Sequence, residues 1–464
     1  MPPTGGVPGT TEPDDRIERP TLLAEAVTLW ELHDELTLHV LGLDSEDEFP
    51  ATVHDFVQAV AERLTGSAAA PGADPAPARP VCEEVPDGRR VAFWRRRRGL
   101  TRQELARRVG RSDAWVAAVE EGLDRVPSAA CARELAAALQ IDVPLLMGRD
   151  PHPQPLPTGD PVGDNLERIR EFLERCDALG PAPDTVAPSL AAIAVGLRDA
   201  WRCYRQAEYG SLTGALPRLL QDAVVSDGAR AGGPDGPEAA RLLSQAYQVT
   251  AAVLRKLGEY QLSWLTADRA IEAAGRGRDP LLTAAASRFA AATMLAMGRT
   301  TPALNLSMTA TTSLPTQQRP HHTQLVVEGT LLLQGAAAAA RMADTVTIGT
   351  LLASADSVAA RLEQDTGRYW TRFGRTVTEL SRASIAVELG DGAEAITIHR
   401  RLQQALPSLP REQHAGHYLT LARAYLQTGA TEEAAEALAT STRLAPAERR
   451  NPLHQALRHQ IQAA

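Results

Sequence analysis

Four segments in the C-terminal part of the chain follow one plan: a helix, a glycine turn, then a second helix with small residues a few positions on. They read KLGEYQLSWLTADRAI at 256–271, AMGRTTPALNLSM at 296–308, ELGDGAEAITIHRRL at 388–402 and QTGATEEAAEALATSTRLAP at 427–446. Aligning Gly258, Gly298, Gly390 and Gly429 gives intervals of 40, 92 and 39 residues. The long interval spans two units, with RMADTVTIG at 341–349 as a degenerate turn, and an earlier unit falls at 187–226. One helix pair cannot bury its apolar face alone, so pairs at this period must stack on their neighbours. About six pairs then make a curved solenoid, with a helix over 450–462 as its cap. No stretch shows the period-2 alternation of a strand. The expected fold class is all-α.

Breaker-rich stretches divide the rest. Residues 1–19 read as a disordered tail, 20–65 as an acidic helical N-terminal extension and 66–87 as a flexible linker. Residues 88–150 form a helical module, 151–162 a second linker, and 163–464 the solenoid. Charge follows the same boundaries. Residues 1–87 hold 18 acids against 4 arginines, whereas 88–111 hold 10 arginines against Glu104 alone. A basic block of that density is either a solvated arginine face or a surface that attracts phosphate. The acidic extension beside it suggests a segment that folds over the arginines and competes with DNA. Lys256 is the only lysine of the 464 residues.

The module at 88–150 can be built from local rules. A first helix over 88–98 carries Val91 and Trp94 on one side and arginines on the other. Thr101 and Glu104 form a capping box that starts a helix at 102–109, and Gly110 supplies the tight turn. Ser112 caps a third helix, 113–120, which Gly122 ends. Leu135, Leu139 and Ile141 mark a fourth. Short helices joined by a tight turn make a helix-turn-helix.

G-L-T-x-x-E-L-A-x-x-V-G-x-S-x-x-W-V-x-x-V-E-x-G at 99–122, followed by L-A-x-x-L-x-I at 135–141, resembles the Cro/repressor-type (XRE-like) helix-turn-helix. The segment at 427–446 resembles the tetratricopeptide pattern, with Gly429 at the turn, Ala434 and Leu438 on one face and Pro446 at the end. Together, residues 88–460 look like actinobacterial transcriptional regulators that join this module to a tetratricopeptide-like sensor region. AWRCYRQAEYG, YQVTAAVLRKLGEYQLSWLTADRAI and RYWTRFG carry the second resemblance. It implies a cytoplasmic, nucleoid-associated homodimer on double-stranded DNA, with a peptide, small molecule or protein as effector on the solenoid.

Position by position, the resemblance places DNA contacts at Arg102, Arg111, Ser112, Asp113, Ala114, Ala118 and Arg125. Trp115 either lays its ring edge and N–H on the backbone or packs inside. Arg95 and Glu120 fall where the family holds a buried ion pair. Positions 114 and 118 are alanine, where relatives carry side chains that reach base edges, so direct readout is thin and thymine methyl contact or DNA shape must contribute. The rival reading is a protein-interaction scaffold whose degenerate helix-turn-helix no longer reads bases.

Aromatics are only 4% of the chain, which makes their grouping in the solenoid notable. Trp201, Tyr204 and Arg205, then Tyr247 and Trp264, then Tyr369, Trp370 and Phe373 are candidates for a ligand groove, or else for packing between repeats. His414 and His417 sit one turn apart and read as solvated helix positions. Cys82, Cys131, Cys176 and Cys203 form no C-x-x-C pair, so neither a zinc site nor a disulfide framework is indicated. No phosphate-loop, esterase or zincin motif occurs, so no enzyme, metal or cofactor is expected. No run approaches the 18 apolar residues of a membrane span.

Overall fold

The computed structural model describes residues 88–148, 161–175, 187–315, 320–362 and 366–463. The tail, extension and linker expected over 1–87 lie outside the described residues, and so does the shielding role expected of them.

Helices α1 (Gly88–Arg97), α2 (Arg102–Arg108), α3 (Asp113–Glu121), α4 (Ala129–Leu139) and α5 (Val143–Met147) make the N-terminal head. Both halves of the capping box form at Thr101: its side chain accepts from the Glu104 amide, and the Glu104 carboxylate accepts from the Thr101 amide. Ser112 Oγ accepts from the Trp115 amide at 3.1 Å and starts α3. Gly122, at φ 77°, ends it in the left-handed region that glycine enters at no steric cost. Inside lie Val91, Trp94, Leu105, Val116, Val119, Leu135, Leu139 and Leu146.

Helix α6 (Pro161–Glu174) precedes the solenoid and packs on it. The pairs follow as α7 (Leu190–Arg205) with α8 (Tyr209–Arg230), α9 (Gly236–Lys256) with α10 (Tyr260–Arg276), and α11 (Pro280–Ala296) with α12 (Thr300–Thr312). Next come α13 (His322–Arg341) with α14 (Thr345–Ala359), α15 (Arg375–Glu388) with α16 (Gly392–Leu402), and α17 (Arg411–Gln427) with α18 (Thr431–Leu444). Helix α19 (Pro452–Ala463) caps the last pair.

Every pair turns through a short link whose central residue has positive φ. Gly258, Gly298, Gly390 and Gly429 supply it in four pairs, at φ 76° to 87°. In the first and fourth pairs the same place is held by Ala207 (φ 57°) and Ala343 (φ 59°). The packing that surrounds these turns therefore imposes a conformation that alanine disfavours.

The solenoid closes on itself. Tyr204 of α7 donates to Glu412 of α17 at 3.3 Å. The Lys256 ammonium at the end of α9 reaches Glu412 at 3.0 Å and Glu448 at 3.2 Å. Tyr209 of α8 also donates to Glu448. All five groups are largely withdrawn from water, and Ala415 and Ala445 of the last pair belong to the same apolar cluster as the first two pairs.

One element departs from the all-helical expectation. Strands β1 (Thr366–Arg368) and β2 (Thr371–Phe373) form an antiparallel hairpin between the fourth and fifth pairs. Three-residue strands are too short for alternation to show in a sequence. At its tip Tyr369 (φ 44°) and Trp370 (φ 61°) both adopt left-handed backbone, a two-residue turn normally built from Asn-Gly. Tertiary bonds hold it: Tyr369 donates to Asp279 and Trp370 Nε1 to Gln245, each at 2.7 Å. Phe373 fits against Gly329 of α13, where an added Cβ would lie 2.2 Å from the ring.

The head docks on the turn side of the solenoid. Arg90 of α1 donates to the carbonyls of Ala340 and Arg341 at the end of α13, and to that of Leu146 in the head. Arg97 donates to the Gly390 carbonyl at 2.7 Å, while the Trp94 ring lies over Gly390 with no room for a Cβ. Gln460 of α19 donates to Asp142.

Candidate functional site

The arginines of 95–98 leave the helix in different directions. Arg95 turns inward and grips Glu120 at 2.5 and 2.8 Å through two nitrogens. Arg97 goes to the solenoid, and Arg98 caps the end of α4 through the Leu139 and Gln140 carbonyls at 2.9 and 2.8 Å. Arg108 reaches the Ala138 carbonyl at 3.1 Å. Much of the basic run is thus structural bonding between helices.

Glu120 takes a second cation, Arg102, at 3.0 Å, and Arg102 also holds Glu121 at 3.1 Å. Burial alone would raise the Glu120 carboxyl, but the bonds from Arg95 and Arg102 outweigh it and hold that group below the usual carboxylate range. The Arg102 guanidinium is in turn pushed up by its bond to Glu120. A group expected on phosphate is therefore already shared between two carboxylates.

The N-terminal end of α3 is bare. Arg111, Ser112, Asp113 and Ala114 are exposed together, while Val116, Val119 and Glu120 of the same helix are buried. Trp115 is half-buried beneath the Arg111 guanidinium, 5.5 Å from the ring centre. Ala118 is half-buried, and its carbonyl accepts from the Leu123 and Asp124 amides. Arg125 is exposed in the following loop, as is Gln103 on α2, a polar group that the sequence reading passed over. Beside them Leu123 is 80% exposed.

The aromatic candidates of the solenoid separate into two sets. Trp201, Tyr204, Arg205 and Trp370 come together: Trp201 stacks on Trp370 at 5.6 Å and 9°, and Arg205 lies 5.8 Å from the Trp370 ring. Tyr369 flanks them at the hairpin tip. Tyr247 and Phe373 are core residues, and Trp264 lies apart under Arg299. Trp201, Tyr204 and Trp370 wall a cavity of about 260 Å³, which Arg205 and Tyr369 do not line. It lies inside the curve, lined by Trp201, Arg255, Arg288, Gln334, Ser381 and Gln413, each on the first helix of its pair.

His417 departs from the solvated position expected of it. It is buried, and its Nε2 faces Nδ1 of His399 at 3.0 Å. Burial, with His399 and His414 nearby, pushes His417 down to about 3. Among the described residues no three His, Cys, Asp or Glu side chains gather as metal ligands. No described helix is long and apolar enough to cross a membrane.

Residues 88–146 match the helix-turn-helix domain family. The molecule is thus an α-solenoid that carries a helix-turn-helix domain at its N-terminal side. No curated protein matches the chain. The crystal structure of Bacillus thuringiensis PlcR in complex with the peptide PapR7 and DNA is similar at 14% identity and a TM-score of 0.26, over 60% of this chain and 95% of that one. A likeness that loose transfers no residue's role.

Proposed function

We propose that the chain is a sequence-specific DNA-binding transcriptional regulator, with the 88–150 head reading DNA and the 163–464 solenoid sensing an effector. The bare N-terminal end of α3 carries this reading. A helix anchored by its C-terminal half and open at its N-terminal residues suits entry into a major groove. Arg111 and Arg125 then meet phosphates, Asp113 and Ala114 face base edges, and Ser112 presents its hydroxyl to the backbone. Two copies would read half-sites about one helical turn apart.

The docking contacts supply the link between the two parts. The head rests on the ends of α13 and α15 and on α19, so a change in solenoid curvature moves all three supports. A peptide, a small molecule or a protein partner inside the curve could drive that change.

Selection of fragments from genomic DNA by the purified protein, at two salt concentrations, tests the reading. A palindromic motif that survives the higher salt is the expected result. Arg111→Ala should weaken binding across sequences and reduce the salt slope by about one. Binding that vanishes with salt and yields no motif would favour an interaction scaffold. That second reading has its own support: Arg102 is committed to Glu120 and Glu121, and Ala114 and Ala118 offer no hydrogen bond.

A further inference from the structure

The cavity inside the curve contains polar groups that the protein itself does not satisfy. Trp201 is wholly buried, yet its indole N–H has no acceptor. The Nε groups of Arg288 and Arg372 are buried and likewise lack acceptors, and Gln413 Oε1 lacks a donor. All four residues line the same 260 Å³ space. A buried indole or guanidinium N–H without a partner is costly, and a well-packed interior avoids it.

The charge in this space is equally unbalanced. Among the described residues that line it, Arg288 and Arg372 bring two guanidinium groups with unmet N–H bonds, beside one carboxylate, Glu412. Glu412 already serves Lys256 at 3.0 Å and the Tyr204 hydroxyl at 3.3 Å. Burial pushes Arg288 down to about 10, with Arg255 adding to it and Tyr204 and Glu412 offsetting only part. The remaining wall is flat and apolar: Trp201 and Trp370 lie parallel, and Phe289 sits under Arg288 with the guanidinium 4.1 Å from its ring centre.

Donors without acceptors, excess cations and an aromatic wall fit one class of ligand. We propose that this cavity binds a small organic oxyanion, a carboxylate or phosphate attached to a flat ring, as the effector of the solenoid. The oxyanion accepts from Arg288, Arg372 and the Trp201 indole, and the ring lies along the aromatic wall. The volume falls below the roughly 300–1,000 Å³ of drug-sized pockets, so the occupant is a compact metabolite rather than an extended peptide. This names the ligand class for the sensor half of the function proposed above, and rests on it.

The test needs no DNA, so it fails or succeeds independently of the DNA-binding reading. Benzoate, indole-3-acetate and phenyl phosphate are compared with benzamide, indole-3-acetamide and phenol by thermal shift and by tryptophan fluorescence of the full chain. The acids should raise the melting temperature and quench fluorescence where their uncharged counterparts do not. Carboxylate against phosphate ligands separate within the same series. Arg288→Gln and Arg372→Gln should each weaken the acid response by about tenfold or more. Arg288→Gln should also melt higher than the wild type without ligand, because it removes a buried cation that is only partly compensated, and this readout guards against a variant that merely misfolds. Equal responses to acids and uncharged counterparts, no response to any acid, or an acid response unchanged in both variants would overturn the proposal.

Discussion

The head and the solenoid use arginine in opposite ways. In the head the guanidinium groups that look free in the sequence are mostly fastened: Arg95 and Arg102 to Glu120, Arg97 to Gly390, Arg98 and Arg108 to the end of α4. In the solenoid, Arg288 and Arg372, which belong to no basic run, leave N–H groups unmet around a cavity. Density of charge along a chain therefore says little about where unpaired charge resides. Helical geometry sends successive side chains about 100° apart, so a run of four arginines is spread among several neighbours.

The largest test of this contrast is at Lys256. Replacing it with alanine leaves Glu412 and Glu448 buried with no ammonium between them, and should cost about 3–5 kcal/mol in a urea titration. The sign with pH is defined. Burial would raise the Glu412 carboxyl, but Lys256 overrides it and holds the folded value low. Its stabilisation is present above the unfolded value and lost as pH falls through the folded one, so the deficit of the variant should narrow in acid. A deficit that is constant with pH would mean that packing, not charge, closes the solenoid.

In the head the corresponding change is Glu120→Gln, which weakens charge-assisted bonds from Arg95 and Arg102. The expected loss is about 1.5–3 kcal/mol, read as earlier melting. It should also release Arg102. If DNA affinity then rises although stability falls, the Glu120 carboxylate limits the phosphate contact; unchanged affinity would leave Arg102 with a structural role alone.

Acid should loosen the solenoid near its closing pairs. Burial holds His417 near 3 and His454 near 4, below their unfolded value, so the unfolded chain takes up protons first and stability declines as pH drops below about 6.5. Between pH 7 and 5, His417 alone accounts for up to about 2 kcal/mol, with burial first and then His399 and His414 opposing its protonation. Melting of His417→Gln at the two pH values should show a smaller difference than the wild type. The smallest expected effect concerns the strained turns: Ala207→Gly and Ala343→Gly should each gain about 1 kcal/mol, by relieving left-handed alanine.

Much of this molecule was legible in the sequence because it is local. The capping box at Thr101, the Ser112 cap, the Gly122 stop and the four glycine turns each depend on residues a few positions apart, and all formed at the expected places. The two turns without glycine were harder to read, since neighbouring pairs force alanine into them. The hairpin was illegible for a related reason: its turn is held by Asp279 and Gln245, about 90 and 125 residues earlier.

The sequence by itself determined that helices form, where they start and stop, and that they must stack, because capping and apolar period act within one or two turns of chain. The tertiary structure alone decided which arginines are spent on other helices and which are left bare. It also decided that the only lysine joins the second pair to the sixth, and that a buried indole ends without an acceptor. The last two outcomes follow from how the pairs curve. Curvature sums small rotations over the whole solenoid, and no single segment of sequence records that sum.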